Sequence, residues 1–412
     1  NVRQSTPPTP GQSVKKPFLI PFPVAFLNSR GEEMPVQLAE EDEAPAPGTR
    51  MFELTDETAE FVFGGLEEEP VVSLNRGFAA PIILDAGLSQ EELAFLAAND
   101  PDPFNRWDAM NRLLIDAVHA QTRARLLKTP EDVSPLVISA ASKILRDENL
   151  SPAFKAVALT MPGEKLVAEE DPLIDPHAVH AGWIAVRQAI GEKNISAFLE
   201  TAQANIVEGP YEPTPEKAGK RALRNLALGY AHAAGSPRAA IMIKDQFMTA
   251  NNLTDKLAAL HMMANSQTPA KQDMEVDALK AWYHEPLLIN KWLTIQATAP
   301  SFPGEARVLE RVRELTRCPF FSLKNPNNVY ALLLGYFQQN PSEFHLADGS
   351  GYAFWAEMVL ELNRINPQVA ARVARSLDNW RRYTPALAEK MHAALESVEA
   401  KRSELSPNVA EI

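Results

Sequence analysis

Hydrophobic positions in this chain come in two textures. Across residues 18–84 they form short runs separated by Gly, Pro, Asn and acidic residues. From Ser89 onward they recur every three or four positions. The short runs, at 18–27, 34–38, 51–54, 60–63, 71–74 and 78–84, read as strands. Asn28-Ser29-Arg30-Gly31 is the turn signal between the first two. Pro21, Pro23 and Pro35 lack the amide proton that a ladder needs, so their runs are expected at edges or bulges. Short strands with turns between them predict a small β-sandwich. Residues 1–16, containing TPPTPGQS, read as a loop or frayed edge, and 40–48 as an acidic, Pro-rich loop.

The second texture is helical. Ser89-Gln90-Glu91-Glu92 has the form of a capping box, a hydroxyl followed three residues later by a carboxylate. Proline after a capping residue then recurs at Ser151-Pro152, Asp175-Pro176, Thr214-Pro215, Ser236-Pro237, Thr268-Pro269 and Asn366-Pro367. The first helical position has no intrahelical partner for its N–H, so proline is welcome there. Leu223, Leu226, Ala227 and Tyr230 form one apolar stripe; Trp355, Val359 and Leu362 form another. Many short helices with no strands between them predict stacked helix pairs, an α-solenoid, rather than one irregular bundle. The expected fold class is therefore α+β multidomain: a β-sandwich over 1–88 and an all-α superhelical domain over 89–412.

Composition narrows the function. The chain has 412 residues, 45% hydrophobic and 23% charged, which suits two or more globular domains. A net charge of −13 argues against binding a phosphate backbone, so no nucleic-acid partner is expected. The single cysteine, Cys318, rules out an intrachain disulfide and is expected to be a buried small residue beside Phe320 and Phe321. No apolar run reaches the roughly 18 residues of a membrane span, and no signal peptide is read at the N-terminus. The chain opens on Asn1 rather than Met, as a processed product or a fragment would.

Candidate chemistry is sparse. His177 and His180 could share a helix face, with Asp171 or Asp175 as a third metal ligand; exposed histidines at a helix start are the simpler reading. His284-Glu285 begins an H-E-x-x-H pattern, but position 288 is Leu and Pro286 breaks the helix it would need. Gly349-Ser350-Gly351 lacks the spacing of a nucleotide loop and reads as a helix-to-helix turn. The carboxylate runs Glu40-Glu41-Asp42-Glu43 and Glu67-Glu68-Glu69 read as solvated faces without calcium-loop spacing. Phe320-Phe321 and Phe354-Trp355 are expected in the core. Gln368 and Arg372 are the more interesting pair. They stand four residues apart after Asn366-Pro367, on one face near a helix N-terminus, where an amide and a guanidinium suit a carbonyl or carboxylate.

Several stretches resemble the C-terminal region of bacterial aminopeptidase N, in family order: QSTPPTPGQ (4–12), PFLIPFPVAFLNSRGEEMPV (17–36), Asn105-Arg106-Trp107-Asp108-Ala109, FMTANNLTDKLAAL (247–260), INKWLTIQAT (289–298), SLKNPNNVYALLLGYFQQNPSEFHLADGSGY (322–352) and NRINPQVAARVAR (363–375). That resemblance implies a four-domain zinc metallopeptidase of the gluzincin class. This chain would supply its third domain, a β-sandwich lacking part of its first strands, and its fourth, an α-superhelix closing over the zinc site. The family's catalytic motif, H-E-x-x-H, is not in these residues, so zinc, general base and oxyanion-stabilising Tyr are expected upstream and no catalytic residue in this chain. The match to the family's N-P-Q-V-A-x-R motif makes Gln368 and Arg372 substrate-binding residues for the leaving side of a peptide. The family's N-P-N loop carries basic residues just after it; Asn325 to Tyr330 carries none here, so no basic role is expected of it. The implied partners are peptide substrates and the enzyme's other domains, in a cytoplasmic monomer. A stand-alone α-solenoid that binds a peptide or protein without catalysis is the alternative.

Overall fold

The computed structural model describes residues 1–42 and 44–412; Glu43, the last residue of the first carboxylate run, lies outside them. Two compact units divide the chain, one of residues 1–117 and 133–162, the other of 118–132 and 163–412.

The first unit holds the strands. These are β1 (Val2–Arg3), β2 (Ile20–Leu27), β3 (Gln37–Leu38), β4 (Arg50–Leu54), β5 (Thr58–Ala59), β6 (Phe63–Gly64) and β7 (Val71–Leu74). They form one three-stranded sheet, ordered β4-β2-β7, and two short antiparallel pairs, β1-β5 and β3-β6. Phe22, Val24, Phe26, Met34, Val36, Phe52 and Leu54 make the core between them, with Phe61 and Phe63 packed against it. Ring centroids of Phe26 and Phe63 lie 4.6 Å apart, and those of Phe52 and Phe61 4.4 Å.

Two expectations are corrected here. β2 is central, not an edge, although it contains Pro21 and Pro23. Its first half, including both prolines, pairs only with β4, while Val24 to Leu27 pair with β7. Each proline's missing N–H therefore falls where one flank of the strand is unpaired. The run at 78–84 is no strand. Asn75 takes a left-handed conformation (φ 52°), and its side chain both accepts from Ala80 N and donates to Ala80 O, each at 3.0 Å. That closes a tight loop, Pro81 follows, and Ile83 stands fully exposed.

Helices of the first unit attach to these strands through polar side chains. Ser89 Oγ accepts from Glu92 N at 3.1 Å and Glu92 Oε2 from Ser89 N at 2.7 Å, a complete capping box. Asn105, in the helix Pro103–Leu127, donates to Ser73 Oγ (2.8 Å) and Leu74 O (2.9 Å). Arg106 binds the carbonyls of Ala97 and Ala98 at a helix end and pairs with Asp147 at 2.8 Å. The Asn105-Arg106 block is thus a structural clasp.

The second unit is helical throughout. Asp175, Thr214, Ser236 and Asn366 cap helices that begin with Pro176, Pro215, Pro237 and Pro367. Ser151 caps the Pro152 helix of the first unit in the same way. Thr268 does not follow the pattern: its hydroxyl lies 3.0 Å from Met263 Sδ, and the helix starts at Ala270. Glu285 precedes the helix Pro286–Thr298, which leaves His284 outside it. Phe321, Phe354 and Trp355 are buried as expected. Phe320 is half-buried, set edge-on against Trp292 and Tyr283. Cys318 is half-buried rather than buried, held against Glu314 O. Ser350 opens the helix Ser350–Ile365, with Asp348 Oδ1 accepting from its N–H. A Cβ at Gly351 would strike the backbone oxygen of Phe344, so only glycine admits that approach. No helix of the described residues is long and apolar enough to cross a membrane.

Candidate functional site

Gln368 and Arg372 lie on the helix Pro367–Ala374. Asn366 starts it, its side-chain oxygen accepting from Val369 N at 3.3 Å. Val369, Ala370, Val373 and Ala374 fill the buried face, and Trp355 Nε1 donates to Val373 O at 3.0 Å. The helix is thereby locked by one face, and its other face carries Gln368 and Arg372, both exposed.

A second wall comes from the other motif singled out in the sequence. Asn325 caps a short helix, Pro326–Val329, accepting from Asn327 N at 3.0 Å. Asn328 is buried and spans two segments: it accepts from Ser322 N (3.1 Å) and donates to Asn290 Oδ1 (2.7 Å). Tyr330 begins a five-residue π-helical stretch, Tyr330–Leu334, that runs on into the helix Gly335–Gln339. Such bulges concentrate at functional sites, because the widened turn re-aims a side chain. Here Leu332, Leu333 and Leu334 point into the core, and Tyr330 is half-buried.

The two walls meet. The Arg372 guanidinium lies over the Tyr330 ring, 4.6 Å from its centroid. Further along both segments, Gln338 Nε2 donates to Ser376 Oγ at 3.1 Å. The contact holds the guanidinium over the ring but uses none of its N–H donors, which stay available to a carbonyl or carboxylate. Gln368 makes no side-chain hydrogen bond among the described residues. The spacing of Gln368 and Arg372 placed both on one face; it could not reveal Tyr330, whose only sequence signal is its place in the quoted N-P-N stretch.

Other candidates disperse. His177 Nε2 lies 2.9 Å from His345 O, and His180 Nδ1 lies 2.9 Å from Glu164 Oε1. Asp175 is occupied as a helix cap, and Asp171 lies 3.1 Å from His119 Nδ1. Among the described residues no three His, Cys, Asp or Glu side chains gather as a metal would require, so this donor set does not fit zinc. Glu41, expected to be merely solvated, pairs with Arg50 and accepts from Leu38 N, which holds its carboxyl below the usual range.

An Ig-like strand module followed by an ARM-like helical array is the class of protein that this architecture defines. Residues 90–412 match the family described as a domain of unknown function (DUF3458_C), ARM repeats, and residues 1–87 match the domain of unknown function (DUF3458) with an Ig-like fold. The chain belongs to this DUF3458_C family. It is similar to aminopeptidase N of Escherichia coli (strain K12), 33% identical over 397 residues, covering 96% of this chain and 44% of that protein. Aminopeptidase N of Caulobacter vibrioides is 33% identical over 350 residues, 84% of this chain and 39% of the relative. Among solved structures, Legionella pneumophila aminopeptidase A in complex with aspartic acid shares the fold, with TM-score 0.77, 23% identity, and coverage of 95% of this chain and 44% of that one. The chain spans less than half the length of the relatives it matches, and corresponds to their C-terminal portion.

Proposed function

We propose that this chain is the substrate-enclosing part of a zinc metallo-aminopeptidase that removes N-terminal residues from peptides in the cytoplasm. Zinc and the residues of bond cleavage belong to the upstream catalytic domain, and this chain contributes no catalytic group. Gln368 and Arg372 contact the leaving side of the substrate. The observation that carries this reading is the Arg372 guanidinium, held over Tyr330 at 4.6 Å with Gln368 on the same exposed face. A guanidinium with free donors recognises a carbonyl or carboxylate by paired N–H···O bonds, and a neighbouring amide adds a neutral one. Recognition there would act on the peptide beyond the scissile bond and leave the N-terminal residue to the upstream pocket.

The test uses the complete enzyme that contains this chain. The kcat/KM for a tripeptide is divided by that for an aminoacyl anilide, in wild type and in Arg372→Ala. The reading expects the ratio to fall, because the anilide has no leaving-side carboxylate to lose. An unchanged ratio with the fold intact would return Arg372 to a surface role.

A further inference from the structure

Elsewhere in the second unit, an arginine that lies over an aromatic ring either has a further partner or sits on its neighbour in sequence. Arg313 lies 4.4 Å from the Phe354 centroid and also pairs with Glu357 at 2.8 Å. Arg221 lies 4.7 Å from the Tyr211 centroid and also donates to Glu212 O at 3.2 Å. Arg187 lies 5.4 Å from the Trp183 centroid and also donates to Gly229 O at 3.1 Å. Arg381 lies over Trp380, the residue before it. Arg372 fits neither case. Its ring belongs to Tyr330, which reaches it from a separate segment, and among the described residues its guanidinium donates to no carboxylate or carbonyl.

The choice of partner has a chemical consequence. A carboxylate at position 330 would hold the guanidinium more firmly, but it would also neutralise the charge and occupy the donors. A ring face holds it and does neither. The chain carries a net charge of −13, so acids are plentiful, yet none is paired with Arg372 among the described residues. The ring is itself well placed to serve as a support. Val329 before it and Leu332 to Leu334 after it are buried, and Asn328 ties the same stretch to Ser322 and Asn290. The bond from Gln338 to Ser376 joins the two segments a second time, so their spacing does not depend on the ring alone.

We propose that Tyr330 is the positioning residue of this site: its ring holds the Arg372 guanidinium in place while leaving it un-neutralised, so that the site selects peptides whose leaving side ends in a free carboxylate. This rests on the reading of Arg372 given above and adds to it the residue through which Arg372 is presented. It also narrows the ligand. A charge-assisted bond to a carboxylate is roughly twice as strong as one to a neutral carbonyl, so an unpaired guanidinium favours the acid over its amide. The contact lies beyond the scissile bond and is made equally before and during reaction, so it acts on KM rather than kcat.

The experiment uses the complete enzyme and two substrates, a tripeptide with a free C-terminal carboxylate and the same tripeptide as its C-terminal amide. Rates are normalised to an aminoacyl anilide, so that loss of folded enzyme is not counted as loss of recognition. The wild type should show the lower KM for the acid. In Tyr330→Leu the KM for the acid should rise about two- to fivefold, the factor that corresponds to an exposed cation–π pair, with kcat held and the amide little affected. Tyr330→Phe keeps the ring face and should restore the preference. Tyr330→Glu should remove it altogether, because the new carboxylate captures the guanidinium and repels that of the substrate. Should Tyr330→Leu fail to fold, the contrast between the Phe and Glu variants at this half-buried position decides. A preference that falls in Arg372→Ala but stays at the wild-type level in the Leu and Glu variants would overturn the role of Tyr330 and leave the reading of Arg372 standing. No change in Arg372→Ala would overturn both. Equal losses in the Phe and Leu variants would assign the effect to the hydroxyl and overturn the ring-face proposal.

Discussion

The Arg372 guanidinium lies over the ring of Tyr330, 4.6 Å from its centroid, and so joins two residues that are 42 positions apart in sequence. The helix start at each is pinned from behind, Pro367–Ala374 by its buried face and Trp355, Pro326–Val329 by Asn328. The pair is therefore a contact between two anchored elements, and the ordering of the Arg372 side chain is the main entropy it costs.

That geometry makes Arg372 and Tyr330 energetically coupled. Exposed cation–π pairs contribute about 0.5–1 kcal/mol. Tyr330→Phe retains the ring face and should change stability little, whereas Tyr330→Leu removes the face. A double-mutant cycle of Tyr330→Leu with Arg372→Ala, read by urea unfolding, should give a coupling of about 0.5–1 kcal/mol. Strict additivity would mean that the two side chains are neighbours without interaction.

The first unit depends on a buried ion cluster. Arg76 is buried, its Nη1 donating to Glu33 Oε1 and Thr49 Oγ1, both at 2.6 Å, with Nη2 3.4 Å from Asp100 Oδ1. Asp100 is buried too, and that burial raises its pKa. Truncating one partner of such a group leaves the other charges stranded, at about 3–5 kcal/mol. Arg76→Ala should therefore destabilise the unit by about that much in chemical denaturation. Adding Asp100→Asn should recover part of the loss by removing the stranded charge. A single variant within 1 kcal/mol of wild type, the ordinary surface range being about 0.5, would show that water replaces the guanidinium.

Zinc gives a direct check of where the metal chemistry resides. The rings of His177 and His180 are engaged with different partners, His345 O and Glu164, and no third ligand gathers beside them. The 412-residue chain, loaded with zinc and passed over a chelating resin, should retain no stoichiometric metal. Retention of one equivalent, lost in His177→Ala, would identify a site built by rearrangement of this helix start.

The helical half was legible because its start signals are local. A short polar side chain followed by proline caps and starts a helix by itself, and most such pairs did so. Thr268 failed because Met263, from the preceding helix, captured its hydroxyl. The run at 78–84 misled because its apolar composition suits a strand, while the left-handed turn at Asn75 is set by a side-chain bond to Ala80 that no periodicity encodes. The candidate sites were half legible for the same reason. Helical spacing put Gln368 and Arg372 on one face. Tyr330 reaches Arg372 only through the packing of separate helices.

His345 makes the stability of the fold sensitive to acid. Its side chain is only 3% exposed. Nδ1 lies 2.9 Å from the Tyr352 hydroxyl, and the ring stacks on Tyr383 at 4.5 Å. Burial, and after it the neighbouring His177, push its pKa down to about 3. An unfolded histidine titrates near 6.5. Between those values the unfolded chain binds a proton that the folded chain refuses, so stability is complete above about pH 6.5 and falls as the pH drops toward 3. The slope from this one residue is at most about 1.4 kcal/mol per pH unit. His232 and His261, also shifted down, add in the same direction. His180 opposes them: burial works against its charge, but its bond to Glu164 raises its pKa on balance, so its contribution is strongest at low pH. Unfolding in urea at about pH 7 and about pH 5, above the main range of carboxylate titration, isolates the histidines. The wild type should lose stability between the two. His345→Gln, which keeps a polar group for Tyr352 and cannot take up a proton, should lose less. Equal slopes in the two proteins would show that His345 is protonated inside the fold, and that its bond to Tyr352 is made by the imidazolium.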